Sequence, residues 1–287
     1  MMSRPPAPAT VFRVSELLAE GHTRRDVQRL TEAGRLVRLR PGWLSLPGAD
    51  PAVVRAVSLG GVLSCVSALA WHGVWVPEHN QLHLRRTGAG RLSPLHVGGV
   101  RDCGRPAPTP SAVDPLAVAL RNSTSCLTAE GFVVVLDSIL NLRLMGRANL
   151  IEVLAPLPGR QRRLLEKCDR SEAGTESMVR LRLRSKGVKV RSQVSIPGVG
   201  RVDLLVGDCL VIEVDSREHH TKGPAYEADR ERDRRLTARG YRVVRLTYQQ
   251  VVHDWARVEA DLLRMIRQDL HGARAARDGK LLGQQGA

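Results

Sequence analysis

Two spacings of apolar residues alternate along the chain. Near the start, FRVSELLAEG puts Val14, Leu17 and Leu18 on one helical face, and Gly21 ends the run. Thr23 is placed to cap a second helix, RRDVQRLTEAG, with Asp26 three residues on and Gly34 as its stop. Val27 and Leu30 face inward, which leaves Arg24, Arg25, Gln28 and Arg29 on the outer side. LVRL, RPG and WLSL then read as strand, tight turn and strand.

Residues 51–170 carry a different texture. AVVRAVSLGGVLSCVSALAWHGVW reads as buried helix and QLHLRR as a strand. CGRPAPTPSAVDP is a loop rich in breakers, and AEGFVVVLDSILNL and RANLIEVLAPL read as helices. From Ser171 the alternation sharpens. SEAGTESMVRLRLRSKG is a helix stopped by Gly187, followed by the strands VKVRSQVSI, GRVDLLV and LVIEVD. PAYEADRERDRRLTARG is a helix ended by Gly240, YRVVRLT a strand and QQVVHDWARVEADLLRMIRQDL a final helix. In that helix Val251, Trp255, Val258, Leu262 and Ile266 recur at threes and fours. The order is α-β-β-β-α-β-α.

The register of the second and third of these strands follows from their side chains. A two-residue turn at Gly207-Asp208 would set Val202 opposite Glu213 and put a charge in the apolar layer. A three-residue loop, Gly207 to Cys209, pairs Val206 with Leu210, Leu204 with Ile212 and Val202 with Val214 on one face. The other face then holds Asp203 opposite Glu213 and Arg201 opposite Asp215. Cross-strand Cβ atoms lie ~4.5–5.5 Å apart, where two carboxylates repel. A divalent cation between them removes the defect, and hard oxygen ligands suit Mg²⁺. The alternative is that a nearby arginine satisfies one acid.

Composition points to a polyanionic partner. The formal net charge is +15, and the 44 basic residues include only five lysines. Arginine's planar fork bonds two phosphate oxygens at once. Arginine also rises with genomic GC content, which is the competing explanation. The helix–helix–hairpin order of the first fifty residues is that of a winged helix-turn-helix, whose second helix enters a major groove. Double-stranded DNA is therefore the expected partner, contacted by Arg24, Arg25, Gln28 and Arg29. Aromatics make up 3% of the chain, which argues against single-strand stacking platforms and an RNA-directed activity. The five cysteines include no CxxC pair, so no zinc knuckle is expected, and reduced thiols fit a cytoplasmic protein. His72, His79, His83 and His96 are too scattered to argue as ligands. MMSRPPAPAT lacks the apolar centre of a signal peptide, and no apolar run approaches the ~18–20 residues of a membrane helix.

Two resemblances add to this reading. GHTRRDVQRLTEAGRLVRLRPGWLSLPG resembles the N-terminal winged-helix domain of the antitoxins of type IV toxin–antitoxin systems. That implies operator binding and a cognate toxin as a protein partner. GTESMVRLRLRSKG, GRVDLLV, VIEVDSREHH and DRERDRRLTARGYRVVRLTYQQV, in that order, resemble PD-(D/E)XK nuclease-fold domains related to the very-short-patch-repair mismatch endonucleases. In that fold an acid on the first helix and one on each of two strands hold Mg²⁺ or Mn²⁺, which here are Glu176, Asp203 and Glu213. The resemblance also implies catalytic histidines after the third strand, matched by His219 and His220. The pattern departs at Asp215, where the wider fold has lysine, and at Ser216, where related sequences have glycine. Lys222, Arg230 and Arg234 are candidates for the missing positive charge.

The expected protein is mixed α/β. It has a winged-helix DNA-binding domain at 1–50, a mainly helical middle at 51–170, a restriction-endonuclease-like αβββαβα domain at 171–272 and a flexible tail at 273–287. The expected activity is metal-dependent endonuclease cleavage of DNA, with Glu176, Asp203, Glu213, Asp215, His219 and His220 as site residues. The alternative is a non-enzymatic DNA-binding regulator whose nuclease fold has degenerated to dimerisation or binding.

Overall fold

The computed structural model describes residues 10–88, 98–215, 224–268 and 271–272, with the side chains of 224–229 excepted. The expectations for His96, His219, His220, Lys222 and the tail at 273–287 lie outside those residues. The chain is mixed α/β and forms two compact units, one of residues 1–135 with 142–165 and one of 136–141 with 166–287.

In the first unit the two expected N-terminal helices are present as α1 (Val14–Ala19) and α2 (Arg24–Glu32). The Thr23 side chain accepts the Asp26 N–H at 3.2 Å, and the Asp26 carboxylate accepts the Thr23 N–H at 2.9 Å. This reciprocal cap closes two orphan donors. One expectation fails: Phe12 does not enter the first helix. It belongs to β1 (Val11–Arg13), which pairs antiparallel with β3 (Trp43–Ser45), itself paired with β2 (Val37–Arg40). The three strands order β1-β3-β2. Val27, Leu36 and Leu44 form the buried centre, with Phe12, Val14, Leu17 and Leu30 against it. Pairing with β3 therefore half-buries Phe12 against this centre while α1 starts two residues late.

Residues after 50 are less helical than their apolar density suggests. α3 (Pro51–Ser58) and α4 (Cys65–Trp71) are separated by a short strand, β4 (Gly61–Leu63). β4 pairs antiparallel with β5 (Leu82–Arg86), which pairs parallel with β6 (Val100–Asp102). The helices α5 (Leu116–Ser123), α6 (Ala129–Asn141), α7 (Arg147–Leu154) and α8 (Gly159–Arg162) follow. Arg85 on β5 makes a two-pronged bond to the buried Asp114 carboxylate at 2.8 and 2.5 Å.

The second unit follows the expected order. After α9 (Gly174–Ser185) come β7 (Val190–Ile196), β8 (Gly200–Val206) and β9 (Leu210–Asp215), then α10 (Pro224–Ala238) and β10 (Arg242–Thr247). The expected last helix is broken at His253-Asp254 into α11 (Tyr248–Val252) and α12 (Trp255–Arg267). Thr247 caps α11 by accepting the Gln250 N–H at 3.3 Å. The sheet orders β10-β9-β8-β7, antiparallel except for the parallel β10–β9 pair. β8 and β9 pair Val206 with Leu210 and Leu204 with Ile212, the register of the three-residue loop. Val202, Leu204, Val206, Leu210, Ile212 and Val214 are all buried. The side opposite Leu204 is not left to acids: Leu205 and Val211 are buried with Leu236 of α10, and Val202, expected with Leu204, belongs to this cluster. Both faces of the strands are thus covered, which is why the apolar run is nearly continuous.

Beneath the sheet, α9 is fixed by a charge pair. The side chain of Arg180 is fully buried and bonded to Asp137 of α6. Asp137 also accepts from Ser177 Oγ at 2.6 Å and from the Asp169 N–H at 3.0 Å. Burial pushes the Asp137 carboxyl up, and the Arg180 charge and these donors oppose it. Arg180 donates as well to the Lys167 carbonyl at 2.8 Å.

Candidate functional site

Glu176 enters from the first turn of α9, Asp203 from the middle of β8 and Glu213 from β9. Glu176 and Glu213 are 4% and 5% exposed, so both carboxyls are effectively removed from water. Glu176 is anchored by the N–H groups of Ala173 and Glu172 at 2.9 and 3.1 Å. One side-chain amide ties it to its neighbour: Gln193 Nε2 donates to Glu176 Oε2 at 2.7 Å and lies 3.4 Å from Asp203 Oδ1. Asp203 Oδ2 accepts the Val214 N–H at 2.9 Å. The side chain thus reaches across to β9 beside Glu213, one residue beyond the last backbone pair, Leu204 with Ile212.

The electrostatics identify Asp203 as the shared neighbour. Burial and then the Asp203 charge push Glu176 up to about 8. Burial and then Asp203 push Glu213 up to about 7, opposed by Arg232. Arg232 Nη2 approaches Glu213 Oε1 at 2.9 Å but without the alignment of a hydrogen bond, so that oxygen is buried with its bonding capacity unspent. Among the described residues no lysine or arginine forms an ion pair with Glu176 or Asp203. Burial and Asp203 thus make both glutamates costly to ionise, and Arg232 offsets that cost only at Glu213. Arg232 lies on the one oxygen left without a hydrogen bond, so a divalent cation taking hard donors here would have to displace it.

These shifts predict a pH dependence. The folded chain keeps protons on Glu176 and Glu213 that an unfolded glutamate releases near its ordinary 4.5. Stability therefore falls as pH rises from about 4.5 through 8, because the native state binds more protons in that window. Glu213→Gln should remove one share of the fall. In chelator, the variant should gain on the parent by roughly 2–3 kcal/mol between pH 5 and 8, read by denaturant titration. Parallel curves for the two proteins would contradict the assigned burial of this charge.

The remaining sequence candidates divide. Asp215 lies at the end of β9 against Arg245, at 3.4 Å, and Arg245 also bonds Asp233 at 2.8 Å. Arg245 stands in register with Glu213 on the adjacent strand. Arg234 is exposed and paired with Glu231, and Arg230 is exposed too. Among the described residues Arg232 pairs with Glu213 and Arg245 with Asp215, and the sequence reading singled out neither arginine. Gln193 was missed as well. It has φ +51° in the middle of β7, a left-handed backbone that a non-glycine strand residue rarely adopts. In the first unit Arg24, Arg25, Gln28 and Arg29 are all exposed on α2. Arg29 pairs with Asp26, and Gln28 donates to Glu32 at 2.8 Å.

A second group corrects the sequence reading of the cysteines and histidines. Cys65, His83, Cys103 and Cys126 come together, with their ligand atoms all within 4.8 Å of one another. The missing CxxC spacing excluded only a local zinc knuckle, not convergence from distant elements. Donation from the Cys65 thiol, and then from His83, holds the Cys103 thiol down to about 5, while its bond to Cys103 and burial push Cys65 up. His72 instead bonds the Asp114 carbonyl through Nε2 at 2.9 Å, and His79 lies beside Ser67.

No helix among the described residues is long and apolar enough to cross a membrane. No curated protein matches the chain. Among solved structures, the RV2827C protein from Mycobacterium tuberculosis aligns with 15% identity over 77% of this chain and 85% of its own, at a TM-score of 0.30. Residues 176–266, which hold Glu176, Asp203, Glu213 and the four-stranded sheet, match the family model REase_MTES_1575, a restriction-endonuclease-like family, and the C-terminal unit is nuclease-like.

Proposed function

We propose that the chain is a metal-dependent DNA endonuclease that hydrolyses phosphodiester bonds and is targeted by its N-terminal block. The observation that carries this reading is Asp203 set between two buried glutamates, both pushed up by burial and by its charge. Glu176, Asp203 and Glu213 would hold Mg²⁺ or Mn²⁺. When bound, such an ion polarises a phosphoryl oxygen and lowers the pKa of water. The chain's own contribution is positional. Gln193 fixes Glu176 and Asp203 relative to each other, and the Val214 N–H fixes Asp203 to the neighbouring strand. Arg232 and Arg245 place guanidinium charge beside the acids, where the wider fold has a lysine at the position of Asp215. His219 and His220 are carried as proton-transfer candidates by the family resemblance alone. The test is incubation of the purified chain with Mg²⁺ or Mn²⁺ and plasmid, linear or mismatched duplex. Intact DNA under all these conditions would refute the activity.

The order of α1, α2 and the β2–β3 hairpin supports a winged helix whose second helix enters the major groove. The triple substitution of Arg24, Arg25 and Arg29 by alanine should weaken duplex binding at every sequence. If each contacts a phosphate, the slope of log affinity against log salt should flatten by up to about 3. An unchanged slope in a fluorescence-anisotropy titration would place the DNA elsewhere.

One observation favours a second reading. Arg232 beside Glu213, and Asp215 with Arg245, show arginines partly neutralising the acids without an ion. On that reading the chain is a DNA-binding regulator, antitoxin-like in its first block, and its nuclease fold serves dimerisation or a toxin partner. Carboxylate-dependent Mn²⁺ binding separates the two, because only the nuclease needs it.

A further inference from the structure

Four side chains of the first unit, none of them near the carboxylates in sequence, meet at one point. Cys65 opens α4 directly after β4, His83 lies on β5, Cys103 directly follows β6, and Cys126 stands in the connection between α5 and α6. His83 Nδ1 is 3.3 Å from both Cys65 Sγ and Cys103 Sγ, and Cys103 Sγ is 3.5 Å from Cys126 Sγ. Zn–S and Zn–N bonds of about 2.3 and 2.0–2.1 Å in a tetrahedron require S···S and S···N edges of about 3.8 and 3.6 Å. These three edges are within a few tenths of an ångström of those values, and every other pair of ligand atoms lies within 4.8 Å. We propose that Cys65, His83, Cys103 and Cys126 form a closed structural zinc site in the first unit.

The backbone supports the ligands in place. The Ser64 N–H donates to the His83 carbonyl at 3.0 Å, and the Cys103 N–H to the Leu84 carbonyl at 2.7 Å. Ser67 Oγ accepts the His83 N–H at 3.0 Å, and the Cys126 N–H bonds the Ser123 carbonyl at 2.9 Å. Three ligands thus hang from the β4-β5-β6 sheet, on or just after its strands, and the fourth from the connection between α5 and α6. Cys65 has φ +53°, one of three non-glycine residues with positive φ among those described. Such a conformation persists only where the surroundings over-determine it. Val66 and Leu127 pack in the same cluster as the sulfurs, with the Arg101 carbonyl and Ser125 Oγ also near them. A packed cluster of reduced thiols is the competing account, since free cysteine is commonly buried. It does not explain why three sulfurs and one imidazole nitrogen from four separate elements converge within 4.8 Å of one another. Four protein ligands leave no open position, so the site holds structure and does not catalyse. It would anchor a sheet of three short strands to the helices around it.

The test uses the full chain, expressed without added metal and passed through metal-free buffer. Elemental analysis should find about one zinc per chain, and a mercurial that caps thiols should release it to a chromogenic chelator. Cobalt exchange should give the visible bands of a tetrahedral thiolate site. Cys126→Ser, at the most accessible ligand, should lose most of the zinc, whereas Asp203→Asn should keep it. A chain isolated without metal that also gives no thiolate bands with cobalt would overturn the site. So would zinc retained by Cys126→Ser and lost by Asp203→Asn, or a Cys103–Cys126 disulfide found by mass spectrometry in its place.

Discussion

Asp203→Asn should lower Mg²⁺- or Mn²⁺-dependent cleavage of duplex DNA by at least about a hundredfold. Asp203 is the acid common to both glutamates, and it is held from two strands by Gln193 and the Val214 N–H. Asparagine keeps its size and one acceptor oxygen but removes the charge. A metal at such a site supplies several kcal/mol of transition-state stabilisation, and each ~1.4 kcal/mol is tenfold in rate. The same substitution should relax Glu176 and Glu213, whose carboxyls Asp203 pushes up, so the variant should be no less stable in chelator at pH 8. Loss of cleavage with retained folding is the expected pair of results. Undiminished cleavage would move the chemistry away from these acids.

The largest effect on stability should come from Asp137→Ala. It strands the Arg180 guanidinium, which is 0% exposed, and removes the acceptor of Ser177 Oγ and the Asp169 N–H. Breaking a buried pair from one side costs ~3–5 kcal/mol, against ~5–15 kcal/mol for a whole domain. The unfolding transition of the C-terminal unit should move to lower denaturant with unchanged slope. Replacing both partners, Asp137→Leu with Arg180→Met, should recover a large part of the loss, because no charge is then left buried. Because Arg180 lies one turn after Glu176 on α9, the single variant should also impair cleavage. A loss below ~1 kcal/mol would show that water or another group reaches Arg180 when Asp137 is gone.

Sequence carried the C-terminal site further than the rest. The β8–β9 register was legible because a slip of one residue would have driven Glu213 into the apolar layer, so the pattern admitted one loop length. Gln193 was not legible, since nothing in its chemistry announces a left-handed backbone in the middle of β7. Arg232 was not legible for a related reason. In DRERDRR any of several residues can face the sheet, and the phase of α10 over β8 and β9 selects Arg232. The short strand β4 was hidden inside a buried apolar run, where periodicity cannot separate strand from helix. The break before α12 was hidden because Val251, Val258 and Leu262 keep helical spacing across it and are all buried. The cysteine–histidine cluster was the least legible feature. Strand pairing brings three of its ligands together and the α5–α6 connection the fourth, so no spacing of one to the next could have signalled them.

The central claim is that Glu176, Asp203 and Glu213 share one cation. Crystals of the full chain soaked in Mn²⁺, with diffraction recorded just above the manganese edge and below the zinc edge, test it directly. An anomalous peak within bonding distance of carboxylate oxygens from Asp203 and both glutamates, with Arg232 displaced from Glu213, is the predicted result. A featureless map there, with Arg232 still lying on Glu213, would contradict it.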